Sequence, residues 1–299
     1  MPTDTIVDQF TRQFGDTLHE VAQHSDSKVR SACEEKHGIP EDYTYEHVGK
    51  VEARKLIGRT QPATFDDIQH TRRLLEKDHY VLNLPVDEHD LQNVATDPRS
   101  SYAQMINYGF NRLVDKVALT AALASVKTGK NGGTTTTFTN DGGFTVTATG
   151  GMTLAHLLTI QRNWTDKEVA IRGSNNGKKR KLLCITGEEE EDLLNIAQLT
   201  SGDYDRRYQL EEGELMFAVG LEIVKFGGAV DSPILVVAAG IRQCVAFVDG
   251  AVLLGFGQDY DLSIKERVDY ENVWQIKGRM SVGGVRTEGV KVQLVNTTD

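Results

Sequence analysis

Residues 97–124 read DPRSSYAQMINYGFNRLVDKVALTAALA, and this stretch decides the fold. Asp97 is a helix-capping residue, and Pro98 suits the first helical position, where a missing N–H costs nothing. Tyr102, Met105, Ile106, Phe110, Leu113, Val117, Ala121 and Ala124 lay one apolar stripe along the helix that follows. At 1.5 Å per residue such a helix is about 40 Å long, near the width of a small domain. It is long enough to be a spine on which other elements are laid.

Immediately upstream, residues 48–57 and 70–84 read as two extended, charged arms around the turn-rich GRTQPATF at 58–65. Their apolar residues are too sparse to bury both faces, and isolated two-stranded hairpins are marginal in water. The hairpin therefore needs something to lie against, and another subunit is the natural candidate. Before it, Ile6, Phe10, Phe14, Leu18 and Val21 predict an amphipathic helical arm, closed by Gly38 and Pro40. Residues 41–46 read as a short acidic link. Residues 1–47 hold ten acids against four bases, whereas the hairpin carries Lys50, Arg54, Lys55, Arg59, Arg72, Arg73 and Lys77. That asymmetry suits pairing between neighbouring copies, although two solvated faces account for the charge equally well.

Downstream, residues 127–151 are rich in Gly and Thr and mark a domain transition. Thr153 caps a helix through Leu154, Leu157, Leu158 and Trp164. A strand at 181–185 leads through Thr186 into a helix at 188–199, whose four opening glutamates complement the helix dipole. Residues 215–226 and 234–239 are β-rich. The runs 261–268, 273–282 and 290–295 read as an antiparallel sheet. The class is α+β, without regular strand–helix alternation and without a repeat of fixed period.

Composition narrows the function. A chain of 299 residues buries about three quarters of its unfolded surface, and 39% hydrophobic with 25% charged residues places it among ordered soluble proteins. No basic-then-apolar leader pattern and no apolar run of about 18 residues occurs, so neither secretion nor membrane spanning is expected. Cys33, Cys184 and Cys244 are odd in number and far apart, which suits reduced, buried thiols. A net charge of −10 argues against a surface built to grip phosphates.

Motifs for catalysis are missing. There is no phosphate loop, dinucleotide fingerprint, H-E-x-x-H, C-x-x-C or G-x-S-x-G. Gly129-Lys130 lacks the spaced first glycine and the following hydroxyl. Asp87-Glu88-His89-Asp90 has the oxygen ligands for Mg²⁺ or Ca²⁺, but acids at a helix start explain it better. No catalytic, cofactor or metal residue is assigned, and the chain is not expected to be an enzyme. From that class, a cytosolic oligomeric enzyme built around Asp87 and His89 is the alternative.

Four stretches, in order, carry a resemblance: Thr71-Arg72-Arg73, Val86-Asp87-Glu88-His89-Asp90, Leu199-Thr200-Ser201-Gly202-Asp203-Tyr204 and Gly283-Gly284-Val285-Arg286. With the arm, hairpin, spine and closing strands, the chain resembles the tailed-phage major capsid proteins of the Hong Kong 97-like fold over nearly its whole length. The resemblance implies an N-terminal arm at 1–47, an extended loop at 48–84 reaching over a neighbour, and a peripheral domain with the spine helix at 85–130. It further implies an axial domain at 131–257, with C-terminal strands at 258–299 completing the peripheral domain and the last one joining the axial domain.

The implied function is self-assembly, through pentamers and hexamers, into an icosahedral shell enclosing double-stranded DNA without specific binding. The implied partners are a separate scaffolding protein, a portal and optionally a decoration protein, with assembly in the host cytoplasm and residence in the virion. Inter-subunit contacts are expected at Phe10, Phe14, Lys50, Arg54, Lys55, Arg59, Phe65, Arg72 and Arg73. An encapsulin-like nanocompartment shell is the rival within the same fold. The lysine–asparagine crosslink found in some such shells has no matching triplet of residues that aligns here.

Overall fold

The computed structural model describes residues 25–53, 55, 67–86, 99–130, 132–147, 150–169, 179–196, 210–211, 214–228, 234–238, 240–267, 269 and 273–298. Along the chain the first strands are β1 (Glu34–His37), β2 (Asp42–Val48), β3 (His70–Glu76) and β4 (Asp78–Val86), followed by helix α1 (Arg99–Leu123). Next come β5 (Val126–Thr128), β6 (Thr134–Thr136), β7 (Phe144–Thr147), α2 (Leu154–Asp166), β8 (Lys181–Ile185) and α3 (Gly187–Leu194). Short strands β9 (Leu210–Glu211), β10 (Glu214–Leu215) and β11 (Phe217–Ala218) precede β12 (Leu221–Lys225), β13 (Val237–Ala238) and β14 (Ile241–Val248). The last are β15 (Val252–Arg267), β16 (Val273–Arg286) and β17 (Val292–Thr298).

The predicted spine is α1, 25 residues long, with Ile106, Phe110, Val114, Ala118 and Ala122 buried along one side. It lies on a four-stranded sheet of order β1-β15-β16-β4. Lateral partners share a sheet face, so Leu82, Gly278 and Leu262 point the same way, as do Leu84, Ile276 and Ile264. α1 occupies that face. A Cβ on Gly278 would sit 2.4 Å from Ile106 Cγ2 and 2.7 Å from Phe110 Cε2, so glycine is what lets the helix approach. Tyr260 meets Phe110 edge-on at 5.8 Å. Farther along, β16 is squeezed from both sides: a Cβ on Gly283 would lie 2.0 Å from Glu76 O, and one on Gly284 2.8 Å from Ala121 Cβ.

A second, seven-stranded sheet runs β11-β12-β8-β14-β17-β7, with β13 beside β14. Pairing is mixed: β12 is parallel to β8 and β17 to β7, while β14 is antiparallel to both its neighbours. α2 buries Leu157, Ile160 and Trp164, and Gln293 Nε2 donates to Ile160 O at 2.9 Å. Thr153 and Thr186 begin capping boxes with His156 and Glu189. One apolar cluster is continuous from α1 and its sheet into the seven-stranded sheet. A smaller one, Ile39, Leu75, Val126, Leu253 and Val285, lies under the hairpin.

Four sequence expectations shift. Residues 41–46 are not a link: β2 begins at Asp42 and pairs antiparallel with β3 from Asp42↔Glu76 to Val48↔His70. The second arm is two strands, because at Lys77 the chain leaves β2 and β4 pairs with β16 instead. The run at 290–295 does not extend the sheet of β15 and β16; it becomes β17, between β14 and β7. α3 also stops at Leu194, with Asn195 as its C-cap, rather than reaching 199. The helical arm around Ile6 to Val21 and the cluster at Asp87–Asp90 lie outside the described residues.

Candidate assembly surface

The stem of the hairpin is β2 and β3, widened by β5 and β6 into a four-stranded sheet of order β2-β3-β5-β6. Its pleat separates two faces. Tyr43, Tyr45, Arg73 and Leu75 turn inward over the small core, whereas Asp42, Thr44, Glu46 and Arg72 turn outward. Arg72 meets Glu46 across the strands at 2.8 Å and Lys127 meets Glu76 at 2.6 Å, both exposed pairs of small energetic weight. Past the last strand pair, Gly49 N donates to Gln69 O at 2.7 Å, continuing the ladder outward. Val48, Val51 and Ile68 are exposed where the hairpin leaves the body.

The inner root of the stem is polar and buried. Arg73, only 7% exposed, grips Asp141 with both guanidinium nitrogens, at 2.9 Å to Oδ2 and 2.6 Å to Oδ1. Arg286 Nε donates to the same Asp141 Oδ2 at 2.8 Å, and Arg73 also donates to Arg286 O at 3.0 Å. Arg286 has further holds. Its Nη1 donates to Ala122 O and Ala124 O at the end of α1, both at 2.8 Å, and its guanidinium lies 5.2 Å from the Phe138 ring centre. Burial pushes the Asp141 carboxyl up, but the Arg73 and Arg286 hydrogen bonds outweigh it and hold that carboxyl below the usual carboxylate range. The hairpin, the spine, β16 and the loop before β7 thus meet at one carboxylate.

A second node ties the last strand. Glu189, nearly fully buried, accepts from Thr186 N at 2.9 Å, from Thr186 Oγ1, and from Thr297 Oγ1 of β17 at 2.8 Å. Arg242 pairs with it at 3.3 Å and with Glu188 at 2.6 Å. At the other end of the described chain, Asp115 of α1 accepts from Ser27 Oγ at 2.5 Å, Lys28 N at 3.0 Å and Val29 N at 3.3 Å. These bonds anchor residues 27–29, within the arm at 1–47, to the spine.

Of the residues expected at subunit contacts, Phe10, Phe14, Arg54, Arg59 and Phe65 lie outside the described residues. Lys50 and Lys55 are exposed beyond the stem, and Lys50 reaches Glu168 of its own chain at 3.1 Å. Arg72 lies on the outer face. Arg73 is spent inside the chain. Alternation from Leu75 was the signal that puts it there, since residues two apart on a strand share a face. Asp141 and Arg286 carried no comparable signal. Sequence reasoning also missed the open face of β15 and β16, where Lys265, Lys277 and Arg279 stand opposite the spine's side. Among the described residues, no group of His, Cys, Asp and Glu is placed to hold a metal, and no helix is long and apolar enough to cross a membrane.

Across residues 6–298 the sequence matches the phage capsid protein family. The chain belongs to that family. Solved structures agree on the fold. The capsid chain of cyanophage P-SCSP1u superposes with a TM-score of 0.69 at 16% identity, covering 98% of this chain and 94% of that one. The mature capsid of bacteriophage PhiM1 gives 0.70 at 12% identity, covering 100% and 95%. Mycobacterium phage Che8 gives 0.67 at 14% identity, covering 96% and 97%. No curated protein matches the sequence. The fold is α+β and Hong Kong 97-like, and the protein is a phage capsid protein, a structural component of the virion that assembles with copies of itself.

Arg73 and the Gly283-to-Arg286 stretch, two of the four sources of the resemblance, are 213 residues apart at Arg73 and Arg286 yet in contact in the folded capsid chain. They converge on the root of the hairpin.

Proposed function

We propose that this capsid protein builds an icosahedral shell, through pentamers and hexamers, around the double-stranded DNA of a tailed phage. The observation that carries the reading is the hairpin stem: pinned to the body at its root, it offers an outer polar face and Val48, Val51 and Ile68, which its own chain's described residues leave 55%, 53% and 42% exposed. Burial of such a surface is completed between copies. In this reading residues 48–84 form the extended loop and lie over the adjacent subunit, with Lys50, Arg54, Lys55, Arg59, Phe65 and Arg72 as its contacts. The arm at 1–47 contributes Phe10 and Phe14.

The peripheral domain comprises the spine with β4, β15 and β16, and the axial domain is the seven-stranded sheet with α2 and α3, including β17. A scaffolding protein and a portal take part in assembly in the host cytoplasm, and a decoration protein is an optional addition. The net charge of −10 suits a wall that does not hold its genome.

Electron microscopy and sedimentation of the protein, alone and coexpressed with its neighbouring genes, test this. Closed shells tens of nanometres across, or pentamers and hexamers that close when scaffold is supplied, are expected. A discrete monomer or small closed oligomer under every condition would overturn it, and shells filled with an enzyme cargo would point to a nanocompartment.

A further inference from the structure

We infer that Asp141 is a latch that fixes the angle at which the hairpin leaves the body, so that one buried carboxylate governs the geometry of the assembled shell. Two guanidinium groups are brought together inside the protein, and only the carboxylate between them makes that arrangement stable. Their remaining attachments are unequal. Arg286 is fully buried and keeps two helix-end carbonyls and the Phe138 ring, whereas Arg73 has Arg286 O as its other hydrogen-bond partner among the described residues. Without the negative charge, Arg73 is the cation that leaves.

Arg73 sits on the element best able to move. The stem's strand pairing to the rest of the chain is through β5, over Arg73↔Thr128 and Leu74↔Lys127, with Gly129 N to Arg72 O at 3.2 Å beside it. Its core is five buried side chains, and among the described residues its other polar ties are weak: His47 near Glu288 at 3.9 Å, and the exposed pairs Lys127–Glu76 at 2.6 Å and Lys50–Glu168 at 3.1 Å. Loss of the latch therefore frees the hairpin root while α1 and the seven-stranded sheet keep their own cores. A lever whose root swings places its tip differently on the next subunit, which alters how subunits meet. That consequence for the shell rests on the capsid reading above; the local release does not.

Hydrogen exchange of the full-length, unassembled protein tests the latch, and electron microscopy of its assemblies tests the consequence. In Asp141→Asn, amides of β2 and β3 should exchange on the order of a hundredfold faster, with β8 and β14 unchanged. The assemblies should shift in diameter or fail to close. Adding Arg73→Gln to that variant removes the stranded cation and should restore most of the protection. If Asp141→Asn does not fold, Arg73→Gln alone, which loses the tie but strands no cation and leaves Asp141 paired to Arg286, should loosen the same two strands by only a few-fold, with β8 and β14 unchanged.

Unchanged exchange in β2 and β3, loosening spread evenly through β14, or failure of the double variant to recover would overturn the latch. Shells of parental size from a variant with a freed root would overturn its role in shell geometry. If the parent forms no shell at all, the capsid reading fails while the exchange result still judges the latch.

Discussion

Replacing Gly283 by alanine adds one methyl group to β16 where the structure leaves no room for it. The new Cβ would lie 2.0 Å from Glu76 O, 2.8 Å from Glu76 C and 2.9 Å from Lys77 Cα, all backbone atoms that no rotamer change moves aside. The chain between β3 and β4 must retreat by roughly an ångström to restore ordinary contact. Overfilling of this kind costs about 1–3 kcal/mol. Against it stands the gain of about 0.4–1 kcal/mol that alanine brings by narrowing the unfolded ensemble.

Gly133 isolates the second effect, because a Cβ there meets nothing within 4 Å and its backbone is not among the left-handed glycines. Gly133→Ala should be neutral or slightly stabilising, Gly283→Ala destabilising, and because the unfolded-state gain is common to both, the two variants should differ by the overfilling cost of about 1–3 kcal/mol. Urea unfolding of the unassembled protein, followed by the fluorescence of Trp164 and Trp274, measures both. A Gly283→Ala midpoint equal to or above that of Gly133→Ala would refute the claim that hairpin and sheet touch backbone to backbone at this point.

The Asp141 carboxyl titrates lower folded than unfolded, so its stabilisation is full above the unfolded pKa and is lost as pH falls through the folded one. Urea midpoints should drop below about pH 4, and Asp141→Asn should flatten that limb of the curve. Arg242→Met strands the buried Glu189 without its cation and should cost about 3–5 kcal/mol, whereas Thr297→Val removes one of several donors and should cost about 1–2 kcal/mol; denaturation midpoints rank the two. Burial pushes the Cys184 and Cys244 thiols well up, and burial, with Asp115 and Glu35 nearby, pushes Cys33 up to about 12. A thiol reagent near neutral pH should leave all three unlabelled in the native protein and label all three in urea, as read by mass spectrometry.

The spine was legible because everything it needs is local: a cap, a proline and a stripe of period 3.6 within one stretch. The hairpin was legible as a kind of element but not in register. Asp42, Glu46 and their neighbours read as a link by composition, while the half-buried Tyr43 and Tyr45 that make β2 a strand gain their cover from Ile39, Leu75, Val126, Leu253 and Val285, most of them distant in sequence. The change of partner at Lys77 leaves no mark in a sequence whose residues stay extended on both sides of it. β17 shows the same gap, since Val292–Thr298 alternates as any strand does and nothing local says which sheet receives it. Arg73 read as one more surface cation, because the acid that neutralises it lies 68 residues away in a turn.

The place of β17 has a consequence for how the chain is made. On the ribosome, β7 emerges long before β17, and in the finished sheet β17 is the strand beside it. Until Val292–Thr298 has been synthesised, β7 and one side of β14 wait with unpaired backbone groups. A chain that lacks residues 292–298 leaves β7 without its strand partner in the seven-stranded sheet, so that sheet forms in one piece only after β17 is made.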